Sequence, residues 1–385
     1  MYLLEISKIM DCKFLSNGIA IQYHNFIKPC CTWRVNDQWA IDHNLDKVNL
    51  VTWHQHADLV AARTQLANGI WPTNCQDCET VESQGRQDSV RLGGESAYSK
   101  FNEEELTLEI RPGSVCNFAC QTCWAPASSR VEQYYKQAGV VNQYANLVKH
   151  TFNDYDFLLP IAKRLKTIIV LGGEPFYDPG CLKFLQWTVD NTSAELLTFT
   201  NGSVLNIELL KSFNRKITLV FSMDAIGTPA EYIRFGTDWP TVLANFNLAR
   251  QLPNVEVRVN ITTSVYNFYY FTDLLDMLML DWPAVVTFGL AMEDIYSEKV
   301  IPLDQRGEII LKLESCVQRL QTAIIESGQK SNTINAVNSI INNLKTMPYD
   351  VEIHNKFKEF VGKMDGVKKI KLAEYCPENA NLLSQ

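Results

Sequence analysis

Long apolar runs are missing from this chain of 385 residues. No stretch approaches the roughly 20 consecutive apolar residues that a membrane-spanning helix needs, so no membrane partner is expected. Positive charge is scarce as well: 35 Lys and Arg stand against 43 Asp and Glu, giving a formal net charge of -8. That balance leaves no electrostatic footprint for nucleic acid, and DNA is not expected as a partner. The opening MYLLEISKIMDCKF lacks a basic segment followed by an apolar core and a small-residue cleavage site. No secretory signal is read there, and a cytoplasmic location is expected. Internal repeats and low-complexity tracts are absent too. Only six histidines occur, and apart from His54 and His56 none has metal-ligand spacing. On a helix that pair would point to different faces, so the histidines are read as structural or surface residues.

What the chain does have is cysteine, eleven in all, within a composition that is 46% hydrophobic and able to bury a substantial core. In a reducing compartment, cysteines point to metal or catalysis more than to disulfides. Their placement divides the chain into three regions. Residues 1–100 hold five of the eleven and end in the loop-like run SQGRQDSVRLGGES. Residues 101–300 begin with the alternating Leu106, Leu108 and Ile110, and KTIIVLGG, ELLTFTNG, KITLVFSMD, VEVRVNITT and AVVTFGLA follow at intervals long enough for helices. Several of these segments are almost continuously apolar, as parallel strands covered on both faces are. The expected fold is therefore α/β, a partial barrel of six βα units. It follows an N-terminal cysteine-rich module and precedes a helical tail over 301–385, where EIILKLESCVQRLQTAII and INAVNSIINNLK show helical patterning. In such barrels chemistry sits where strands end, so the C-terminal strand edges are the places to search.

Directly after the first strand comes Cys116-Asn-Phe-Ala-Cys120-Gln-Thr-Cys123, a C-x3-C-x2-C arrangement. Three thiolates on a four-iron cubane leave one iron with an open position that can chelate a small molecule. A structural zinc site requires a fourth ligand, and this loop offers no further His or Cys.

This triplet, its place after the first strand, and Gly172-Gly173-Glu174-Pro175 after the second together resemble the radical S-adenosylmethionine superfamily, whose fold is a six-stranded partial (β/α) barrel. Thr122 precedes the third cysteine where the family usually has an aromatic or large apolar residue, and Trp124 follows it. The resemblance implies a [4Fe–4S] cluster on Cys116, Cys120 and Cys123 whose open iron binds the amino and carboxylate groups of S-adenosylmethionine. It implies that Gly172, Gly173 and Glu174, with Pro175, receive the amino group; glycines allow close backbone approach, and a carboxylate offsets an ammonium. FSMDAIG with Glu231 and Arg234 resembles the family's fourth-strand segment, where Ser222 and Arg234 would grip the cofactor carboxylate beside Asp224. Arg suits that role because its planar fork binds carboxylates bidentately. Thr200, Asn201 and Asn260 are weaker candidates for ribose or methionyl contacts, and any of these residues can equally serve as a turn or cap.

The first region carries Cys12, the adjacent Cys30 and Cys31, and the C-x2-C pair Cys75 and Cys78. Four thiolates from such a set suit either zinc or a fully ligated iron–sulfur cluster. The order of these segments resembles the cysteine-rich module of radical enzymes of the twitch or SPASM kind, here placed ahead of the barrel. That resemblance implies a second [4Fe–4S] cluster on Cys12, Cys30, Cys75 and Cys78, with Cys31 as the substitute. Cys181 and Cys316 read as small hydrophobes in helices, and Cys376, in YCPENA, as an ordinary residue within possible reach of a cluster.

The expected function is that of a radical oxidoreductase. It would cleave S-adenosylmethionine reductively to a 5′-deoxyadenosyl radical and take hydrogen from a substrate. A peptide or protein substrate is the first expectation, because auxiliary clusters in this group are associated with peptide modification. An electron donor such as a flavodoxin or ferredoxin is implied with it. The alternatives are a small molecule, a nucleoside or tRNA base, or a non-catalytic zinc or iron–sulfur binding protein.

Overall fold

The computed structural model describes residues 10–83, 89–92, 105–141, 152, 154–280, 284–291, 293–324 and 327–383. Eight strands are defined: β1 (Gly18–Ile21), β2 (Ile27–Lys28), β3 (Leu106–Ile110), β4 (Leu165–Val170), β5 (Glu195–Thr200), β6 (Ile217–Ser222), β7 (Val255–Thr263) and β8 (Val285–Leu290). The last six coincide with the segments expected from the sequence, and helices lie between them, so the mixed α/β class holds. The chain divides into two units. The first comprises Met1–Ser114, Leu147–Thr198 and Lys211–Ile217; the second comprises Val115–Asn146, Phe199–Leu210 and Thr218–Gln385.

In the first unit the strand order is β2-β1-β3-β4-β5. β1 pairs antiparallel with β2 and parallel with β3, and β3, β4 and β5 continue the parallel ladder. Every residue of β3 is buried, Thr107 and Glu109 included, as is every residue of β4 except Lys166, so the alternation of β3 in the sequence does not mark a solvent face. β1 and β2 were not legible in the sequence. They are four and two residues long, too short to show a period. Gly18 opens β1 because nothing larger fits: a Cβ there would lie 2.1 Å from the Pro29 carbonyl oxygen. The helix Pro179–Asn191, between β4 and β5, starts where Asp178 accepts hydrogen bonds from the Gly180 and Cys181 amides and Pro179 occupies the first turn.

The second unit contains β7 and β8, paired in parallel with Asn260 opposite Thr287. Its helix Trp239–Arg250, preceding β7, is capped by Asp238, which accepts from the Thr241 amide. Three long helices follow, Arg306–Thr322, Ser327–Thr346 and Val351–Lys368, before the short helical segments Leu372–Tyr375 and Pro377–Leu383. The first two match the expected helical tail; the third was not singled out by its pattern. Buried Arg306 joins the first two helices, donating to the carbonyls of Leu344 and Met347 at 2.8 and 2.6 Å. Met364 of the third packs with Ala119, Ala125, Val131 and Tyr135, and partly buried Cys123 and Phe235 lie against that cluster. Burying one such Met side chain contributes roughly 1.5–3 kcal/mol, so this third helix is a structural part of the Cys123 neighbourhood. No described helix is long and apolar enough to cross a membrane.

Candidate cluster sites

Cys116, Cys120 and Cys123 lie in the second unit, on a segment without regular structure that leads to the helix Ser129–Ala138. Ser128 caps that helix, accepting from the Val131 amide, and its hydroxyl donates to the Phe118 carbonyl at 3.0 Å. The helix start thereby holds the middle of the cysteine segment. A second hold comes from the end of the helix Gly227–Ile233 and the residues just after it: the amides of Ala119 and Gln121 donate to the carbonyls of Phe235 and Ile233, both at 2.8 Å. Gly236 allows this approach. It has φ +112, and a Cβ there would sit 2.9 Å from the Phe118 ring.

The three thiols form one electrostatic group. Burial is the largest cause raising Cys123, followed by its neighbours Cys120 and Cys116. Cys120 is also raised by burial first, while Arg234 and Lys368 oppose the shift. The amide of Phe118 donates to the Cys116 sulfur at 3.4 Å, and Asn201 Nδ2 lies 4.0 Å from the same sulfur. Such donors stabilise a thiolate. Among the described residues, the sole set of three His, Cys, Asp or Glu ligand atoms lying within 4.8 Å of one another is His43, His56 and Asp58.

Around the triplet, the second unit gathers several of the expected cofactor residues. Asp224, 1% exposed, pairs with Arg234 at 3.0 Å and accepts from the Thr262 amide at 2.7 Å. Burial alone would lower the Arg234 guanidinium, but Cys120 and Asp224 outweigh it and hold it charged. Its buried Nε has no hydrogen-bond partner among the described residues, so one donor of the fork remains for a further acceptor. Asn201 is engaged by Asn117 and Ser203, and the Thr200 hydroxyl accepts from the Gly202 amide. Ser222 ends β6, and Asn260, in β7, accepts from the Thr287 hydroxyl at 3.1 Å.

Gly172, Gly173, Glu174 and Pro175 belong to the first unit. Gly172 lies against Gly113, where a Cβ would meet the carbonyl oxygen at 2.8 Å, and the Gly173 amide donates to that same oxygen. Glu174 and Pro175 are buried, and the Glu174 carbonyl accepts from the amides of Tyr177 and Asp178.

The first unit also brings Cys12, Cys30, Cys75 and Cys78 together. Each of the first three feels others of the four, and burial, the first cause, pushes Cys12 up to about 11 and Cys30 to about 12, and raises Cys75 as well. The four line a cleft with Trp33, Trp71 and Arg91. Thr32 bridges two of them, 3.6 Å from the Cys30 sulfur and 3.8 Å from that of Cys78. Arg91 lies over the Trp71 ring and pairs with Glu82. Cys31 is exposed, and its charged neighbours besides Cys30 are Glu109, Lys28 and Arg111. Cys181, Cys316 and Cys376 are buried.

Sequence reasoning missed two features. His43 meets Asp58 at 3.0 Å while its other ring nitrogen bonds to the Trp39 carbonyl, and His56 caps the helix Ala57–Ala67. The His43 contacts span up to fifteen positions, and pair spacing along the chain gives no hint of them. Lys368, the last residue of its helix, reaches the cysteine loop across 249 positions; no sequence signal could have found it.

The sequence matches no protein-family model and no curated relative. Among solved structures, the chain is similar to native anSMEcpe with bound AdoMet, at a TM-score of 0.40 and 16% identity over 56% of this chain and 60% of that one. SuiB of Streptococcus suis bound to S-adenosylmethionine gives 0.40 and 14% over 74% and 62%; TYW1 with a lysine-pyruvate adduct bound gives 0.34 and 15% over 64% and 89%. The chain thus spans less than two thirds of the first two. Likeness at this level leaves the functional reading to the residues themselves.

Proposed function

We propose that this chain is a radical S-adenosylmethionine enzyme with a [4Fe–4S] cluster on Cys116, Cys120 and Cys123 and a second on Cys12, Cys30, Cys75 and Cys78. The observation that carries the reading is the triplet itself. Three thiols share one loop, burial raises those of Cys120 and Cys123, and the mostly buried guanidinium of Arg234, paired with Asp224, acts on both. When bound, the triplet cluster would supply the electron that cleaves the sulfonium of S-adenosylmethionine to methionine and a 5′-deoxyadenosyl radical.

The side chains have positioning roles. Asp224 fixes Arg234, whose remaining donors suit the carboxylate of the methionyl group. Thr200, Asn201, Ser222 and Asn260 are the polar groups we assign to the rest of the cofactor in the second unit. Gly172, Gly173, Glu174 and Pro175 we assign to its amino group. No side chain is required as an acid or base for hydrogen abstraction.

The substrate we favour is a peptide or protein, because the upstream quartet resembles the auxiliary-cluster module associated with such substrates. A flavodoxin or ferredoxin is the corresponding electron donor. Anaerobic reconstitution tests the reading. It should give about eight irons per chain, two four-iron clusters, and 5′-deoxyadenosine on reduction with S-adenosylmethionine. Zinc bound in place of iron would sink the radical reading, whereas about four irons with cleavage intact would remove only the second cluster.

A further inference from the structure

The helix Val351–Lys368 ends on a buried cation aimed at the cysteine loop. Lys368 is 5% exposed, and its Nζ donates to the Ala119 carbonyl at 2.8 Å and to Gln121 Oε1 at 2.9 Å, the residues on either side of Cys120. The rings of Tyr134 and Phe235 lie 5.9 and 5.3 Å from the same nitrogen. Gln121 passes the contact on: its Nε2 donates to the Tyr232 carbonyl at 3.2 Å, and the Tyr232 hydroxyl donates to Asp365 at 2.8 Å. Asp365 and Lys368 stand three apart on one helix face, so the network closes on itself. One helix thereby grips both the cysteine loop and the segment that carries Arg234.

Every acceptor Lys368 bonds is neutral. Among the described residues its hydrogen bonds go to no carboxylate. A buried ammonium is costly unless a counter-charge or full hydrogen bonding offsets it. Two oxygens and two ring faces offset part of that cost. The remaining charge faces Cys120 first, then Asp365 and Cys123; the two cysteines are ligands of a net-negative cluster under the function proposed above, on which this inference rests. Charge and hydrogen bonding around a cluster set its reduction potential.

We propose that Lys368 is a positioning residue that holds the Cys120 loop in its cluster-binding shape and, through its charge, raises the reduction potential of the triplet cluster. The test is an EPR-monitored redox titration of the reconstituted full chain, following the signal that changes when S-adenosylmethionine is added. Lys368→Gln keeps a donor but removes the charge. It should shift the midpoint negative by about 59 mV, a tenfold change in a one-electron equilibrium. Lys368→Arg should restore the midpoint, and Lys368→Met should follow Gln. Overturning results are a Gln or Met variant that holds the cluster at the wild-type midpoint, or an Arg variant that fails to restore what Gln lost. A wild-type chain that takes up no iron at the triplet would instead defeat the proposed function, a distinct outcome.

Discussion

The two cysteine groups are assembled by opposite routes. The triplet lies on one loop of eight residues, Cys116 to Cys123, and is steadied by nearby Ser128 and by Lys368 from far along the chain. The quartet is drawn from separate segments spanning Cys12 to Cys78, and its thiols meet only once the first unit has folded. The polar surroundings also differ. Arg234, with Lys368 beyond it, acts on Cys120, whereas the quartet has Arg91, which is stacked on Trp71. A loop-borne triplet with cations behind it suits a site that must gain an electron and keep one position open. A quartet that supplies all four thiolates leaves no open position and suits a conduit or anchor.

The sharpest break between the groups is a cysteine swap. Cys120→Ala should abolish formation of 5′-deoxyadenosine and remove about four irons per chain. Cys78→Ala should remove a similar amount of iron while leaving reductive cleavage measurable, so paired iron and product assays separate the sites. Equal loss of cleavage in both variants would break the distinction.

Smaller in effect is the removal of each group's arginine. Arg234→Met leaves Asp224 charged and 1% exposed, and should cost about 3–5 kcal/mol in urea unfolding. Arg91→Met leaves Glu82 with its side chain 13% exposed, and about 1–3 kcal/mol is expected. Costs in the reverse order would show the quartet to be the more electrostatically dependent site.

The smallest effect concerns a cysteine outside both groups. Burial lifts Cys316 from an ordinary value of 9.0 to about 12. The folded state keeps this proton when the unfolded chain has lost it. The associated stability is therefore complete below pH 9.0 and is lost as pH climbs toward about 12, by roughly 1.4 kcal/mol per pH unit. Urea unfolding of Cys316→Ala between pH 8 and 10.5 should show a shallower decline than the wild type. An identical slope would mean that Cys316 does not couple to folding.

Much of the fold was legible because its signals are local. β4 and β6 announce themselves as nearly continuous apolar runs, as strands buried on both faces do, and β3 and β7 as alternating ones, all with helix-length gaps between them. β1 and β2 were hidden by their length, and β1 became a strand through its pairing with β3. The same division runs through the site. The spacing of Cys116, Cys120 and Cys123 was readable because one tight loop presents all three. The ion pair of Asp224 and Arg234 was half readable, as two residues near one strand end, with its desolvation supplied by the fold.

By itself, the sequence determined the cysteine spacings, the run of βα units and the acidic balance, because each depends on neighbours along the chain or on composition alone. Tertiary structure decided which thiols share a cleft and that Lys368 stands behind Cys120. A contact across 249 positions leaves no periodicity to read; it exists because packing Met364 and its neighbours brings the helix end to the loop.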